Sequence, residues 1–85
     1  MKIILYSKPE CHLCEGLIEK LTQIQELNLD LEIRDINTNP QWWEKYQYEI
    51  PVMYAVTAEG KTLIPRVSPR VSVAQLTKIL GKYQT

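Results

Sequence analysis

The sequence predicts an α/β fold in which a mixed sheet of four strands is flanked by three helices. Apolar runs of strand length alternate with segments of helical periodicity, in the order strand, helix, strand, helix, strand, strand, helix. The strand-helix-strand order favours right-handed parallel crossovers, whereas the short turn at Gly60 favours an antiparallel pair. With 85 residues, 45% of them hydrophobic, the chain is expected to form a single domain spanning residues 1–85.

The first two elements follow from the spacing of apolar residues. Residues 3–6 form a short, continuous apolar run, which is typical of a strand buried on both faces. From Cys14 to about Leu27, apolar residues recur at steps of three and four and predict one buried helix face: Cys14, Leu17, Ile18, Leu21 and Ile24.

The middle of the chain predicts an edge strand and a short helix. Residues 29–34 alternate, with one face expected to be buried (Leu29, Leu31, Ile33) and the other exposed (Asp30, Glu32, Arg34). Asn39 and Pro40 then form a helix start, because asparagine caps free amides and proline is tolerated at the first helical position.

The last third predicts a hairpin and a final helix. Residues 52–56 and 62–64 are expected to pair antiparallel through the turn at 58–61. Ser72 and Gln75 match a capping box, in which each side chain satisfies a free amide. The apolar face of the helix would then comprise Val73, Leu76, Ile79, Leu80 and Tyr83, and Gly81 would help to end the helix.

The charge and hydropathy of the sequence argue against nucleic acid and membranes as partners. Ten basic and ten acidic residues cancel, so no strong net field is expected to recruit nucleic acid or an anionic membrane. The first apolar run is too short for a secretory signal or a membrane span. We therefore expect a cytoplasmic monomer whose partners are proteins or small thiols.

The only two cysteines, Cys11 and Cys14, lie three positions apart at the predicted junction between the first strand and the first helix. Helical residues at this spacing have Cβ atoms about 5 to 6 Å apart, which is compatible with disulfide formation. In a reducing cytosol so short a loop is seldom a structural staple. The pair is therefore interpreted as redox-active.

The two cysteines are predicted to have different roles. Cys11 would face the free amides and positive dipole end of the helix, which favour a thiolate nucleophile. Cys14 would lie one turn inside on the apolar face, as the resolving thiol. Lys8 and a protonated His12 would favour the thiolate, whereas Glu10 and Glu15 would oppose it, and His12 is equally well interpreted as an exposed spacer.

Residues 7–14 (SKPECHLC) and 49–52 (EIPV) resemble the glutaredoxin branch of the thioredoxin superfamily, and the order of elements extends the resemblance over nearly the whole chain. The resemblance implies a thioredoxin fold (βαβ-α-ββα) and a disulfide oxidoreductase activity. It also implies that Lys8 is the lysine upstream of the cysteine pair and that Pro51 is a cis-proline facing the disulfide. Ile50 would then offer its backbone amide and carbonyl to an extended substrate.

The sequence departs from typical glutaredoxins in two places. His12 and Leu13 replace the usual proline and tyrosine between the cysteines, as in a short glutaredoxin-like subgroup. Residues 66–72 (RVSPRVS) replace the paired glycine and acidic turn that help to bind glutathione. Glutathione is accordingly expected only as a possible co-substrate. No bound cofactor is expected, and a reductase or a thiol donor would supply the electrons.

Other candidate residues have structural interpretations that are preferred. Trp42 and Trp43 are better explained by packing with Tyr46 than by an aromatic platform for a partner. Arg66 and Arg70 would hold a substrate carboxylate or, more simply, remain solvated surface charges. Asp35 would contact the site or cap a turn. Among these, only Arg66 is retained as a candidate substrate-binding residue.

Three functions are compatible with the cysteine pair. The favoured one is a dithiol oxidoreductase that reduces protein disulfides or mixed disulfides of small thiols. The second is a module that binds metal or an iron-sulfur cluster, for which one chain offers fewer than the usual four ligands. The third is an adaptor whose partner binding changes when Cys11 and Cys14 are oxidised.

Overall fold

The computed structural model describes residues 1–84. Its strands are β1 (Lys2–Ser7), β2 (Asp30–Asp35), β3 (Val52–Thr57) and β4 (Gly60–Leu63). Its α-helices are α1 (His12–Thr22), α2 (Pro40–Tyr46) and α3 (Val73–Gly81), and a short 3-10 helix occupies Ile36–Thr38. The predicted order of strands and helices is confirmed.

The four strands form one mixed sheet in the order β2-β1-β3-β4. β1 is parallel to β2 and antiparallel to β3, and β3 is antiparallel to β4. β1 is central, and all of its residues from Ile3 to Ser7 are buried. β1, the strand that precedes the cysteine pair, is thus paired with a neighbouring strand on each side.

One face of the sheet is covered by α1 and α3 and is almost entirely aliphatic. Ile3 and Leu5 of β1 are fully buried there, together with Leu76 and Leu80 of α3. Leu17 and Leu21 of α1 also lie in this core, whereas Cys14, predicted on the same helix face, packs on the opposite side of the sheet. Burying each large aliphatic side chain contributes about 1.5 to 3 kcal/mol.

The opposite face of the sheet is aromatic and is covered by α2. Tyr6 stacks on Tyr46 with ring centroids 4.2 Å apart and meets Trp42 edge-on at 5.6 Å. Arg34 and Lys61 both donate hydrogen bonds to the Tyr6 hydroxyl, at 2.9 and 3.3 Å. Burial raises the pKa of Tyr6, but the hydrogen bonds and charges of these two cations outweigh it and hold that pKa below its ordinary value.

The predicted helix and turn signals are confirmed. The Asn39 side chain accepts a hydrogen bond from the Gln41 amide at 2.9 Å, with Pro40 at the first helical position. Both hydrogen bonds of the capping box between Ser72 and Gln75 are formed, each at 3.0 Å. The hairpin from β3 to β4 turns at Gly60, whose φ of 108° favours glycine.

Two expectations about element boundaries and burial were wrong. α1 ends at Thr22 rather than near Leu27, because the chain turns at Gln23, whose amide donates to the carbonyls of Lys20 and Leu21. Leu27 nevertheless stays in the core, so its apolar character reflects packing of the loop rather than helix. Ile33 is 48% exposed because β2 is the edge strand of the sheet.

Within residues 1–84, no helix combines the length and apolar character needed to cross a membrane.

Candidate dithiol site

Cys11 lies at the junction that the sequence predicts, directly before α1. The chain leaves β1 at Ser7 and turns at Glu10, whose φ of 66° lies in the left-handed region. Cys11 is the N-cap of α1: its Sγ accepts a hydrogen bond from the Cys14 amide at 3.3 Å, and its carbonyl accepts one from the Glu15 amide at 2.9 Å. The Cys11 sulfur therefore contacts a free amide of the first helical turn.

Cys14 lies one turn further on and points into the protein. It is 1% exposed and packs in the aromatic core that also contains Tyr6 and Ile50. Burial raises the pKa of Cys14 to about 12, with help from the hydrogen bond and charge of Cys11, while a hydrogen bond from the Lys8 backbone and the charge of Arg66 act against this rise. Cys14 is accordingly held as a neutral thiol at ordinary pH.

Lys8 lies in the loop before α1, and His12 is the first residue of α1. The charged groups of both side chains have partners other than the cysteines. The Lys8 ammonium lies 5.6 Å from the centroid of the Trp43 ring. The His12 side chain is 94% exposed, and its Nδ1 lies 3.5 Å from Oε2 of Glu15. The interpretation of His12 as a solvent-exposed spacer agrees with this exposure.

The peptide bond between Ile50 and Pro51 is cis, and Pro51 lies beside the first turn of α1. The expectation that the Ile50 amide is free for a substrate was wrong, because this amide donates to the Tyr46 carbonyl at 3.1 Å. Arg66 steadies the same loop from the other side, since its Nη1 donates to the Glu49 carbonyl at 2.8 Å. Arg66 therefore contributes a charge near Cys14 and a contact to the proline loop.

A mainly apolar groove opens beside the first turns of α1, and we call it the dithiol groove. The two residues between the cysteines, His12 and Leu13, line it, but the cysteines themselves do not. Its volume is about 190 Å³, and α1, Pro51 and the segment before α3 form its walls. Lys20 fixes that segment, because its Nζ donates to the Pro69 carbonyl at 2.8 Å. The lining residues are His12, Leu13, Gly16, Leu17, Lys20, Pro51, Arg66, Val67, Ser68, Pro69 and Val71.

Sequence reasoning missed Leu13, Val67 and Pro69 as groove residues. Leu13 is 49% exposed although it is large and apolar. Its helical phase gave no signal of this exposure, because Leu13 lies four residues before the buried Leu17. Val67 and Pro69 carried no signal either, since only the tertiary fold brings their loop against α1.

The remaining candidates lie away from the thiols or have structural partners. Trp42 packs on Tyr6, whereas Trp43 is 39% exposed, so the two tryptophans do not share the core equally. The Asp35 carboxylate accepts a hydrogen bond from the Asn37 amide and caps the 3-10 helix. Within the described part of the chain, His, Cys, Asp and Glu side chains form no group of three or more that could hold a metal ion.

The chain combines a mixed four-stranded sheet, a C-x-x-C pair at the start of α1, and a cis-proline beside the first helical turn. This combination defines a thioredoxin-type fold with a cysteine pair at the start of its first helix.

Comparison with protein-family models identifies the family of the chain. Residues 2–81 match the family described as "Glutaredoxin-like domain (DUF836)", and the chain belongs to this family. None of the curated proteins compared with the chain matches it by sequence.

Solved structures support the same fold. Thioredoxin 1 from the thermophilic eubacterium Thermosipho africanus TCF52B is similar, with a TM-score of 0.66 and 22% identity, over 98% of this chain and 93% of that one. A structure described as that of a malarial protein is similar with a TM-score of 0.68 and 16% identity, over 99% of this chain and 97% of that one. The thioredoxin fold predicted from the sequence is confirmed.

Proposed function

We propose that the protein is a dithiol oxidoreductase that reduces disulfides through Cys11 and Cys14. The observation that carries the proposal is the different placement of the two thiols. Cys11 caps the helix at the protein surface, whereas Cys14 is buried within one turn of it. Such a pair supplies one thiol that can reach a substrate and a second that can reach only the first.

In the first step, the Cys11 thiolate attacks one sulfur of the substrate disulfide. A new bond joins Cys11 to that sulfur, the substrate S–S bond breaks, and the other sulfur leaves as a thiolate that takes up a proton. Cys11 is the attacking residue in this scheme because its sulfur lies at the start of α1, where it accepts a hydrogen bond from the Cys14 amide at 3.3 Å.

In the second step, Cys14 loses its proton and attacks the Cys11 sulfur. The internal Cys11-Cys14 disulfide forms, and the second substrate sulfur leaves as a thiolate, so two electrons have passed from the protein to the substrate. Burial opposes the loss of this proton, whereas the charge of Arg66 favours it. A small thiol such as glutathione, or a protein dithiol reductase, must then return two electrons.

The dithiol groove suits an extended peptide or a small thiol conjugate. Its apolar wall, which includes Leu13, Pro51 and Val67, would contact the residues that flank the substrate disulfide. Since the Ile50 amide is already bonded within the chain, binding through this amide is not part of the proposal. Substrate recognition would instead rest on shape and apolar contact.

The decisive experiment follows a fluorescent peptide joined by a disulfide to glutathione during reaction with the reduced protein. The wild type is expected to release both thiols and to end as the internal disulfide, detected by intact-mass spectrometry. Cys11→Ser should lose the reaction, because it lacks the accessible thiol. Cys14→Ser should stop as a mixed disulfide at Cys11, because no second thiol is present to resolve it.

Two results would contradict the proposal. Normal dithiol turnover by Cys11→Ser would exclude Cys11 as the nucleophile. A wild type that hydrogen peroxide oxidises to the internal disulfide, but that does not reduce the peptide disulfide, would favour the adaptor interpretation. Anaerobic reconstitution with iron and sulfide is a further test, and a stoichiometric coloured cluster would favour the cluster-binding alternative.

A further inference from the structure

The charges of this neutral chain are strongly separated along the sequence. All ten acidic residues lie at or before Glu59, whereas five of the ten basic residues follow it, namely Lys61, Arg66, Arg70, Lys78 and Lys82. Residues 60–85 therefore carry five basic side chains and no acidic one. The balance of charge over the whole chain conceals this separation.

The fold gathers four of these five basic residues around one groove, which we call the basic groove. It has a volume of about 820 Å³ and lies between the segment at 65–71 and one face of α3. No Asp or Glu lines it; the lining residues are Pro65, Arg66, Val67, Ser68, Arg70, Val71, Gln75, Lys78, Ile79, Lys82 and Tyr83.

Within residues 1–84, no carboxylate forms a salt bridge with these four cations. The salt bridges among the described residues involve Lys2, His12 and Arg34 as the basic partners. Lys78 on α3 and Lys82, the C-cap residue one turn further on, are both exposed. Four like charges around one concave surface produce a positive potential that attracts anions from solution.

The basic groove also has apolar walls. Val71 is buried, Val67 and Ile79 are half-buried, and all three line the groove beside the cations. Apolar walls with a charged rim favour a ligand that carries apolar side chains as well as carboxylates. A polypeptide segment that combines Asp and Glu with apolar residues has both.

The basic groove adjoins the dithiol groove. Arg66, Val67, Ser68 and Val71 line both. A chain bound in the basic groove can therefore extend past this shared wall toward the first turn of α1, where Cys11 lies.

We propose that the basic groove binds an acidic segment of the protein substrate whose disulfide is presented to Cys11. This proposal rests on the dithiol function proposed above and adds the class of substrate. Electrostatic attraction would act mainly on the rate of encounter, so the preference should appear in kcat/KM and weaken as salt is added.

The test compares peptides with the same disulfide to glutathione but with flanking residues that are acidic (Asp and Glu) or neutral (Asn and Gln). At low ionic strength, the wild type should reduce the acidic peptide with a kcat/KM about tenfold higher than that of the neutral peptide. Lys78→Gln with Lys82→Gln should lower this ratio about threefold. Lys2→Gln with Lys45→Gln removes the same charge outside the groove and should retain the ratio.

A second measurement detects binding without chemistry. The acidic peptide with serine in place of cysteine is titrated into the isotopically labelled protein, and the amide shifts are expected to concentrate at residues 65–71 and on α3. This titration separates the two proposals: if no peptide is reduced but the serine peptide binds there, only the dithiol function fails.

Equal kcat/KM for both peptides would overturn the basic-groove proposal and leave the dithiol function intact. Shifts outside the groove, or an equal loss of preference in the Lys2 and Lys45 control, would also overturn it. Tighter binding of a DNA oligonucleotide or of anionic vesicles would assign the groove to another ligand. Self-association that Lys78→Gln with Lys82→Gln abolishes would assign it to a second copy.

Discussion

The surface around Cys11 and the interior around Cys14 differ in almost every physical respect, although one helical turn separates them. Cys11 lies at the end of a loop, with its sulfur on the amide of the first turn. Cys14 is 1% exposed among aromatic side chains, and burial raises its pKa to about 12. The comparison shows that a single turn of helix at a strand end is enough to place two identical side chains in different environments.

The largest expected effect that tests this difference is in alkylation. In the reduced native protein, iodoacetamide should modify Cys11 about a hundredfold faster than Cys14, because Cys14 is buried and protonated. Peptide mapping by mass spectrometry over a time course measures both rates. The protein unfolded in urea is the control, where the two rates should converge. Comparable rates in the native state would remove the distinction between the two thiols.

The next largest effect concerns stability at alkaline pH. Because the folded protein keeps the Cys14 proton up to about pH 12, whereas the unfolded chain loses it near pH 8.5, stability must fall as pH rises between these values. Between about pH 9 and about pH 11, the reduced wild type should lose about 2 kcal/mol more than Cys14→Ala does. Urea unfolding at each pH measures this difference, and parallel curves would show that Cys14 titrates normally.

A smaller effect is expected at Arg66. Its charge lowers the pKa of Cys14 and thereby favours the resolving step. Arg66→Gln should slow release of the second thiol from the mixed disulfide about threefold, and Arg66→Lys should restore most of the rate. Single-turnover quenched-flow experiments with the neutral peptide isolate this step. If the lysine variant is as slow as the glutamine variant, the hydrogen bond to the Glu49 carbonyl, not the charge, is responsible.

The smallest effect is expected at His12, which follows the proposed nucleophile Cys11 in the sequence. Its side chain is 94% exposed and faces Glu15, so its charge is screened by water. His12→Ala should change kcat/KM for the neutral peptide less than about twofold between pH 6 and pH 8. A pH profile of both proteins is sufficient, and a larger loss confined to low pH would restore His12 as a thiolate-stabilising residue.

The fold was predictable wherever a local pattern and its burial agreed. The Asn39 cap and the capping box at Ser72 satisfy backbone groups by short-range contacts, and the apolar run of β1 has the length of a buried strand. Each appears where the sequence places it. The end of α1 was not predictable in this way. Leu27 continues the apolar character of the helix, yet it is buried by packing of a loop after the chain has turned.

The candidate site, like the fold, was only partly predictable from the sequence. The positions of Cys11 and Cys14 follow from their spacing and from the strand before them. The groove beside them does not, because Lys20, Pro51 and Pro69 are far apart in sequence and meet only in the folded chain. The bond from the Ile50 amide to the Tyr46 carbonyl likewise depends on how α2 ends, which no motif near Pro51 specifies.

The sequence by itself determined the order of elements, the helix caps and the place of the dithiol at the start of α1, because those features depend on neighbours within a few residues. Tertiary structure alone decided how deeply Cys14 is buried, which partners occupy Lys8 and His12, and how separate basic residues come to line one groove. Burial and electrostatic potential depend on every group nearby in space, and chain order does not specify those distances.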